Sequence, residues 1–102
     1  MVHVIAAIDL VEGKRDEFMK IFAALAPKVH AELGCIAYEA TCDVDSGIDA
    51  QIAVRANTVT VVEKWDSLDA LKAHLAIAHM QEFRSNVAEI VTGISLQILE
   101  PV

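Results

Sequence analysis

Three side chains in the second half of the chain can handle protons near neutral pH: Glu63, His74 and His79. An imidazole titrates there unaided, and a carboxylate joins it when burial raises its pKa. Glu63 stands two positions before Trp65 in a run dense in Val and Thr, so on a strand both side chains share a face and the carboxylate is partly buried. A buried carboxylate needs a partner. Glu63 can orient a histidine or take a proton itself; its plainer reading is a strand-edge carboxylate paired with Lys64 or a backbone N–H group. Trp65, the single tryptophan, offers a flat apolar wall for a stacked ring or serves as a core residue.

His74 and His79 are the natural bases, and the alternative for each is a helix cap or a half-exposed position. His79 is preferred because it opens the last helix beside Phe83, where the helix N-terminus lowers an imidazole pKa. On an unbroken helix the two histidines point about 140° apart, so they converge only if the helix breaks between them. Two histidines and a glutamate make the ligand set of a facial triad, but that spacing argues against one and no metal site is expected. Tyr38, Phe22 and Phe83 are candidate aromatic contacts that fit a core equally well. His3 and His30 have no obvious partner and default to solvent.

The elements that must position these groups follow from periodicity. Val2 to Leu10 reads as a strand that stops at Val11-Glu12-Gly13. From Lys14 the period changes: Phe18, Ile21, Phe22, Leu25 and Val29 form the stripe of an amphipathic helix, with Lys20, Lys28 and Glu32 largely outside it. Gly34 is a natural stop, and Pro27 predicts a kink or break near Ala26. Cys35 to Cys42 reads as the second strand, and Asp43 to Gly47 carries turn chemistry. Ile48 to Ala56 fits either a long loop or a short extra hairpin. Asn57 to Trp65 is a third strand, and Asp66 or Ser67 caps the helix after it. Leu68, Leu71 and Leu75 give that helix one stripe. A second stripe of Met80, Phe83, Val87 and Ile90 follows a break around Ala76 to Ala78 and runs to Val91. Gly93 closes it, and Ile94, Leu96 and Ile98 alternate with polar residues as a last strand.

The order strand, helix, strand, strand, helix, strand is the α+β, ferredoxin-like βαββαβ arrangement with an antiparallel sheet, in one domain spanning residues 1–102. Helices in such a fold cover one face of the sheet. Val2, Val4, Ile8, Ile36, Tyr38, Val59, Val61, Ile94, Leu96 and Ile98 are assigned to that face. Ile5, Ala7, Cys35, Ala37, Val62 and Leu99 fall on the reverse. With 55% hydrophobic residues, that reverse face suits a copy of itself, and a homodimer is expected.

A net charge of −7 and the lack of any basic run exclude nucleic acid and anionic membrane as partners. The opening apolar segment has no basic flank and is too short to span a bilayer, so it is neither signal nor anchor. Cys35 and Cys42 lie roughly 23 Å apart on a strand, far beyond disulfide reach. A reduced cytoplasm is the simplest compartment.

Gly34-Cys35-Ile36-Ala37-Tyr38, Val62-Glu63-Lys64-Trp65, Ala70-Leu71-Lys72-Ala73-His74 and His79-Met80-Gln81-Glu82-Phe83, in that order, resemble the antibiotic biosynthesis monooxygenase family and its quinol monooxygenase branch. The match runs from about Val4 to Leu99. The resemblance implies a ferredoxin-like protomer pairing sheet to sheet into a dimeric α+β barrel, with a pocket between each sheet and its helices. It further implies oxygenation of phenols or quinols by dioxygen with neither flavin nor metal, hence no cofactor. Members acting on aromatic polyketides carry an asparagine where this chain has Val61 and a tyrosine where it has Leu71. The haem-degrading branch needs a first-strand asparagine, absent here, and a histidine near the position of Phe83.

Such chemistry needs a base to make the substrate an anion and a dry pocket for dioxygen. The expectation is therefore a cofactor-independent monooxygenase of a small quinol or phenol, with catalytic His79, Glu63 or His74 and with Trp65, Tyr38, Phe83 and Phe22 about the substrate. Two rivals use the same residues: an isomerase or tautomerase of a small carbonyl compound, and a non-catalytic dimeric binding protein for small aromatic ligands. Dioxygen uptake separates the first from both.

Overall fold

The computed structural model describes residues 1–102. Strict alternation along Val2–Leu10 buries Val2, Val4, Ala6, Ile8 and Leu10 and makes this segment the strand β1. Helix α1 (Arg15–His30) follows, then strands β2 (Cys35–Thr41) and β3 (Thr58–Trp65), helices α2 (Leu68–Ala76) and α3 (Ala78–Val87), and strand β4 (Val91–Leu99). All strand pairs are antiparallel and the sheet order is β2-β3-β1-β4, the ferredoxin-like βαββαβ topology with its second helix in two pieces. One cluster of 18 buried residues fills the layer between sheet and helices. Phe18, Phe22, Leu25 and Val29 are the buried stripe of α1, and Phe18 and Phe22 each meet Phe83 of α3 edge to face.

Several details depart from the periodicity. The helix passes through Pro27 without a break and runs to His30. Proline removes only its own N–H bond, and near the helix end little follows to be disrupted; Ala31 N–H still reaches the Pro27 carbonyl at 3.2 Å. The register of β2 against β3 shifts between Cys35 and Ala37. This irregularity turns Ile36 outward, 55% exposed, and packs Cys35 against the core, the reverse of the alternation expected for this strand. Helix α3 ends at Val87 and β4 already begins at Val91, so Val91 belongs to the strand and not to the helix.

Ile48 to Ala56 forms no strand; residues 42–57 are an exposed loop. Its ends are clipped by Asp43, whose carboxylate takes Arg55 side-chain N–H bonds at 2.8 and 2.9 Å and the Arg55 backbone N–H at 2.9 Å. These bonds pull the Asp43 pKa down to about 2. Cys35 and Cys42 are both free thiols.

Register places Ile94, Leu96 and Ile98 opposite Ile8, Ala6 and Val4, on the helix-facing side as expected. The helices do not reach over them, and they stay 63%, 47% and 42% exposed. On the reverse face Ile5 and Ala7 are half-buried while Val62 and Leu99 are exposed. No helix is long and apolar enough to cross a membrane.

Gly34 sits where the chain turns from α1 into β2, with φ +84°; a Cβ there would stand 2.5 Å from Asp66 Oδ1 and 2.7 Å from Ala70 Cβ. Gly13 shares the left-handed backbone, φ +81°, but faces open space. Gly13→Ala is expected to lower unfolding free energy by about 1 kcal/mol, the left-handed penalty alone. Gly34→Ala adds overpacking and is expected to lose about 2–4 kcal/mol. Urea unfolding of the two variants checks this; equal losses would count against the close approach of α2 to Gly34.

Candidate active site

Because the helices stop short of β4, a cavity of about 430 Å³ opens between the sheet and the α2–α3 pair. Ala6, Ile8 and Val61 contribute its sheet side, Met80, Phe83 and Val87 its helical side, and Ile94 and Leu96 lie at its β4 edge. Its 16 lining residues include 13 hydrophobic ones, and the three others are Glu63, His74 and Arg84. Arg84 is committed in part, since one of its terminal nitrogens donates to the Leu75 carbonyl at 2.7 Å.

Glu63 reaches this cavity because it alternates onto the covered face of β3, opposite Val4 on one side and Tyr38 on the other. It is 5% exposed. Its one direct hydrogen-bond donor is the neighbour on the same face, Trp65, whose Nε1–H reaches Glu63 Oε1 at 3.0 Å. Lys64 is on the other face, so the strand-edge pairing does not form. Burial pushes the Glu63 carboxyl up to about 6, helped by the nearby charge of Glu32 and opposed by the indole bond.

His74, 1% exposed, lies over the Trp65 ring with centroids 4.5 Å apart and meets the Tyr38 ring at 5.5 Å. Its Nε2 is 4.0 Å from Glu63 Oε1, while Nδ1–H donates to Glu32 at 3.0 and 3.1 Å. That bond leaves the Nε2 lone pair turned toward Glu63. Burial lowers the His74 pKa; the hydrogen bond and charge of Glu32 work the other way. Tyr38 is pushed well above its ordinary value, chiefly by burial, and its ring stacks on Phe22 at 5.3 Å.

The helix break that the histidine spacing requires is present. Ile77, with ψ 150°, separates α2 from α3, and Ser67 caps α2 by accepting from Ala70 N–H at 3.1 Å. Both histidines then bond the same carboxylate: His79 Nε2 lies 2.7 Å from Glu32 Oε2.

Of the residues expected about the substrate, Glu63, His74, Tyr38 and Phe83 line the cavity. Trp65 is completely enclosed behind Glu63 and Phe22 stands behind Tyr38, so neither forms its wall. His79 faces a smaller cleft of about 220 Å³ instead. Glu32 and Arg84 were not foreseen. Glu32 falls off the α1 stripe, where a solvated carboxylate is the rule, yet its side chain is only 7% exposed. His30 also has a partner, with Nε2 3.0 Å from the Tyr38 carbonyl oxygen. No group of three or more His, Cys, Asp or Glu side chains is placed to hold a metal ion.

These features define a ferredoxin-like α+β protein with a carboxylate and an imidazole at the edge of an apolar cavity. Residues 1–86 match the family model described as antibiotic biosynthesis monooxygenase, and the chain belongs to that family. It is 31% identical over 103 residues to "Probable quinol monooxygenase YgiN" of Escherichia coli K12, covering 99% of this chain and 98% of that protein. Among solved structures, a conserved protein from Methanosarcina mazei Go1 superposes with TM-score 0.84 at 20% identity, covering 99% of this chain and 92% of that one. Rv0793 from Mycobacterium tuberculosis gives 0.80 at 24% identity, covering 99% and 94%.

A carboxyl whose folded pKa of about 6 exceeds its ordinary 4.5 binds its proton more tightly when folded. Its effect on stability is absent below pH 4.5, grows as pH rises, and above pH 6 reaches a loss of about 2 kcal/mol. Glu63→Gln keeps an acceptor for the Trp65 N–H without the charge. It is expected to be more stable than the parent by up to about 2 kcal/mol at pH 8, the difference vanishing near pH 4. Paired urea titrations across this range provide the check, and a pH-independent difference would refute the buried ionised carboxylate.

Proposed function

We propose that the cavity binds a small quinol or related phenol and that the protein oxygenates it with dioxygen, needing neither an organic cofactor nor a metal. The observation that carries this reading is Glu63: a nearly enclosed carboxylate with pKa about 6 beside an apolar cavity of about 430 Å³, room for a small aromatic ring. Glu63 takes the phenolic proton and the ring becomes an electron-rich anion. Dioxygen, itself apolar, partitions into the same space. One oxygen atom bonds to a ring carbon and the other leaves as water, and the quinol supplies all the electrons. The product is a hydroxyquinone. Tyr38 and Phe83 lie against the ring, and Arg84 faces the negative charge that develops. The quinol named for the Escherichia coli relative supports this substrate class.

The working form in this proposal is a homodimer in the cytoplasm. The uncovered sheet face bears Ile5, Ala7, Val62 and Leu99, and it includes a buried Thr60 hydroxyl with no hydrogen-bond partner. A second copy laid on that face would cover these groups. Two free thiols suit a reducing compartment.

Oxygen-electrode assays with a panel of hydroquinones and chelator-treated protein are expected to show uptake above the buffer rate. The carboxylate is the active form, so kcat/KM should rise as pH increases through about 6. Glu63→Gln should lower kcat by about 10²–10⁴-fold. Uptake at the buffer rate for every compound would eliminate the oxygenase reading. Sedimentation at micromolar concentration should give twice the 11.1 kDa of one chain, and a lone 11.1 kDa species would eliminate the dimer.

A further inference from the structure

Glu63 is only 5% exposed, so the proton it removes stays on it through the oxygenation unless a path leads away from it. The structure contains a row of polar groups leading away from Glu63. His74 Nε2 stands 4.0 Å from Glu63 Oε1, His74 Nδ1 bonds both Glu32 oxygens, and Glu32 Oε2 is 2.7 Å from His79 Nε2. Side-chain exposure is 7% for Glu63, falls to 2% for His74 and then rises through 7% for Glu32 to 19% for His79. His79 opens on the cleft between α1 and α3, beside Lys28 and Glu82. The cavity and the cleft share Phe83 and no other residue, so the row bypasses an aromatic barrier.

We propose that Glu32 joins His74 and His79 into a proton path between Glu63 and solvent. The proposal rests on Glu63 as the base of the oxygenation. In the outward direction the phenolic O–H breaks and a Glu63 O–H forms. That bond breaks as His74 gains a proton on Nε2 and passes its Nδ1 proton to Glu32. The Glu32 O–H breaks in turn as His79 gains a proton on Nε2, and His79 sheds one to water. The same steps in reverse return the proton when the second oxygen atom leaves as water, so no net charge accumulates. The first transfer needs the Glu63 carboxyl to turn toward Nε2, since 4.0 Å is about 1 Å beyond a hydrogen bond.

Other ionisable groups face this path: Tyr38 and Cys35 from β2, Arg84 from α3, and Lys28 and Glu82 around His79. Burial raises the Tyr38 and Cys35 pKa values, which keeps both groups neutral at working pH. Arg84 disfavours a charged His74. Glu32 therefore is the group that makes transient protonation of His74 feasible.

The test compares Glu32→Gln, His79→Gln and Glu63→Gln in quinol-dependent oxygen uptake, in water and in deuterium oxide, with ¹⁵N spectra of the histidines. Glu32→Gln and His79→Gln are expected to lower kcat by about 100-fold with KM within about 2-fold, and to enlarge the solvent isotope effect. Added imidazole should restore His79→Gln, an outermost position tolerant of substitution, which a purely structural role would not allow. Unchanged kcat in both variants while Glu63→Gln is inactive overturns the path and leaves the base standing. Should Glu63→Gln keep full activity, the base assignment fails instead, and the spectra decide the path alone. Coupled titration of His74 and His79, abolished by Glu32→Gln, supports it, and independent titration in the parent overturns it.

Discussion

The charge of Glu63 is unfavourable where this small fold places it, on a residue 5% exposed. Removing a carboxylate from water without a cationic partner is unfavourable by several kcal/mol, and the group answers by shifting its pKa upward. Here that shift is moderated by a single indole N–H from Trp65 and reinforced by the charge of Glu32. A core built for stability alone would place an aliphatic residue at this point of β3, as it does at Val59 and Val61. The carboxylate and the apolar cavity beside it are where the proposed chemistry would take place.

Around this group the fold is arranged by what it leaves uncovered. The one helical layer is enough to shield β2, β3 and β1 but not β4, so the apolar residues Ile94 and Leu96 border a cavity instead of a filled core. A longer unbroken helix after β3 would send His74 and His79 in different directions. The extended residue Ile77 resets the helix direction, and the turn after α1 brings Glu32 between the two rings. One carboxylate at the cavity edge and one outside it are thus bridged by His74, with the outer one holding that imidazole in the tautomer whose free nitrogen faces the inner one.

Much of this was readable in the residue pattern. Alternation in β1 and β3, the α1 stripe, the break near Ile77 and the shared face of Glu63 and Trp65 are all local consequences of side-chain period, and they appear as expected. The misplaced pieces are those that local period cannot reach. Ile36 and Cys35 exchange faces because one register shift against β3 overrides alternation. Pro27 does not interrupt α1 because the packed stripe outweighs one lost hydrogen bond near the helix end. Trp65, readable as a wall or as a core residue, is a core residue, since its distance from the cavity depends on what stands in front of it.

Sequence alone determined the α+β order of elements, the covered face of β3 and the identity of the groups able to carry a proton, because these depend on spacing within single elements. Only the tertiary structure decided that His74 meets the cavity and His79 does not, that Glu32 is buried between them, and that the reach of the helices ends before β4. Those outcomes depend on contacts between residues far apart in the chain, such as the 42-residue separation of Glu32 and His74, for which no periodicity exists to be read.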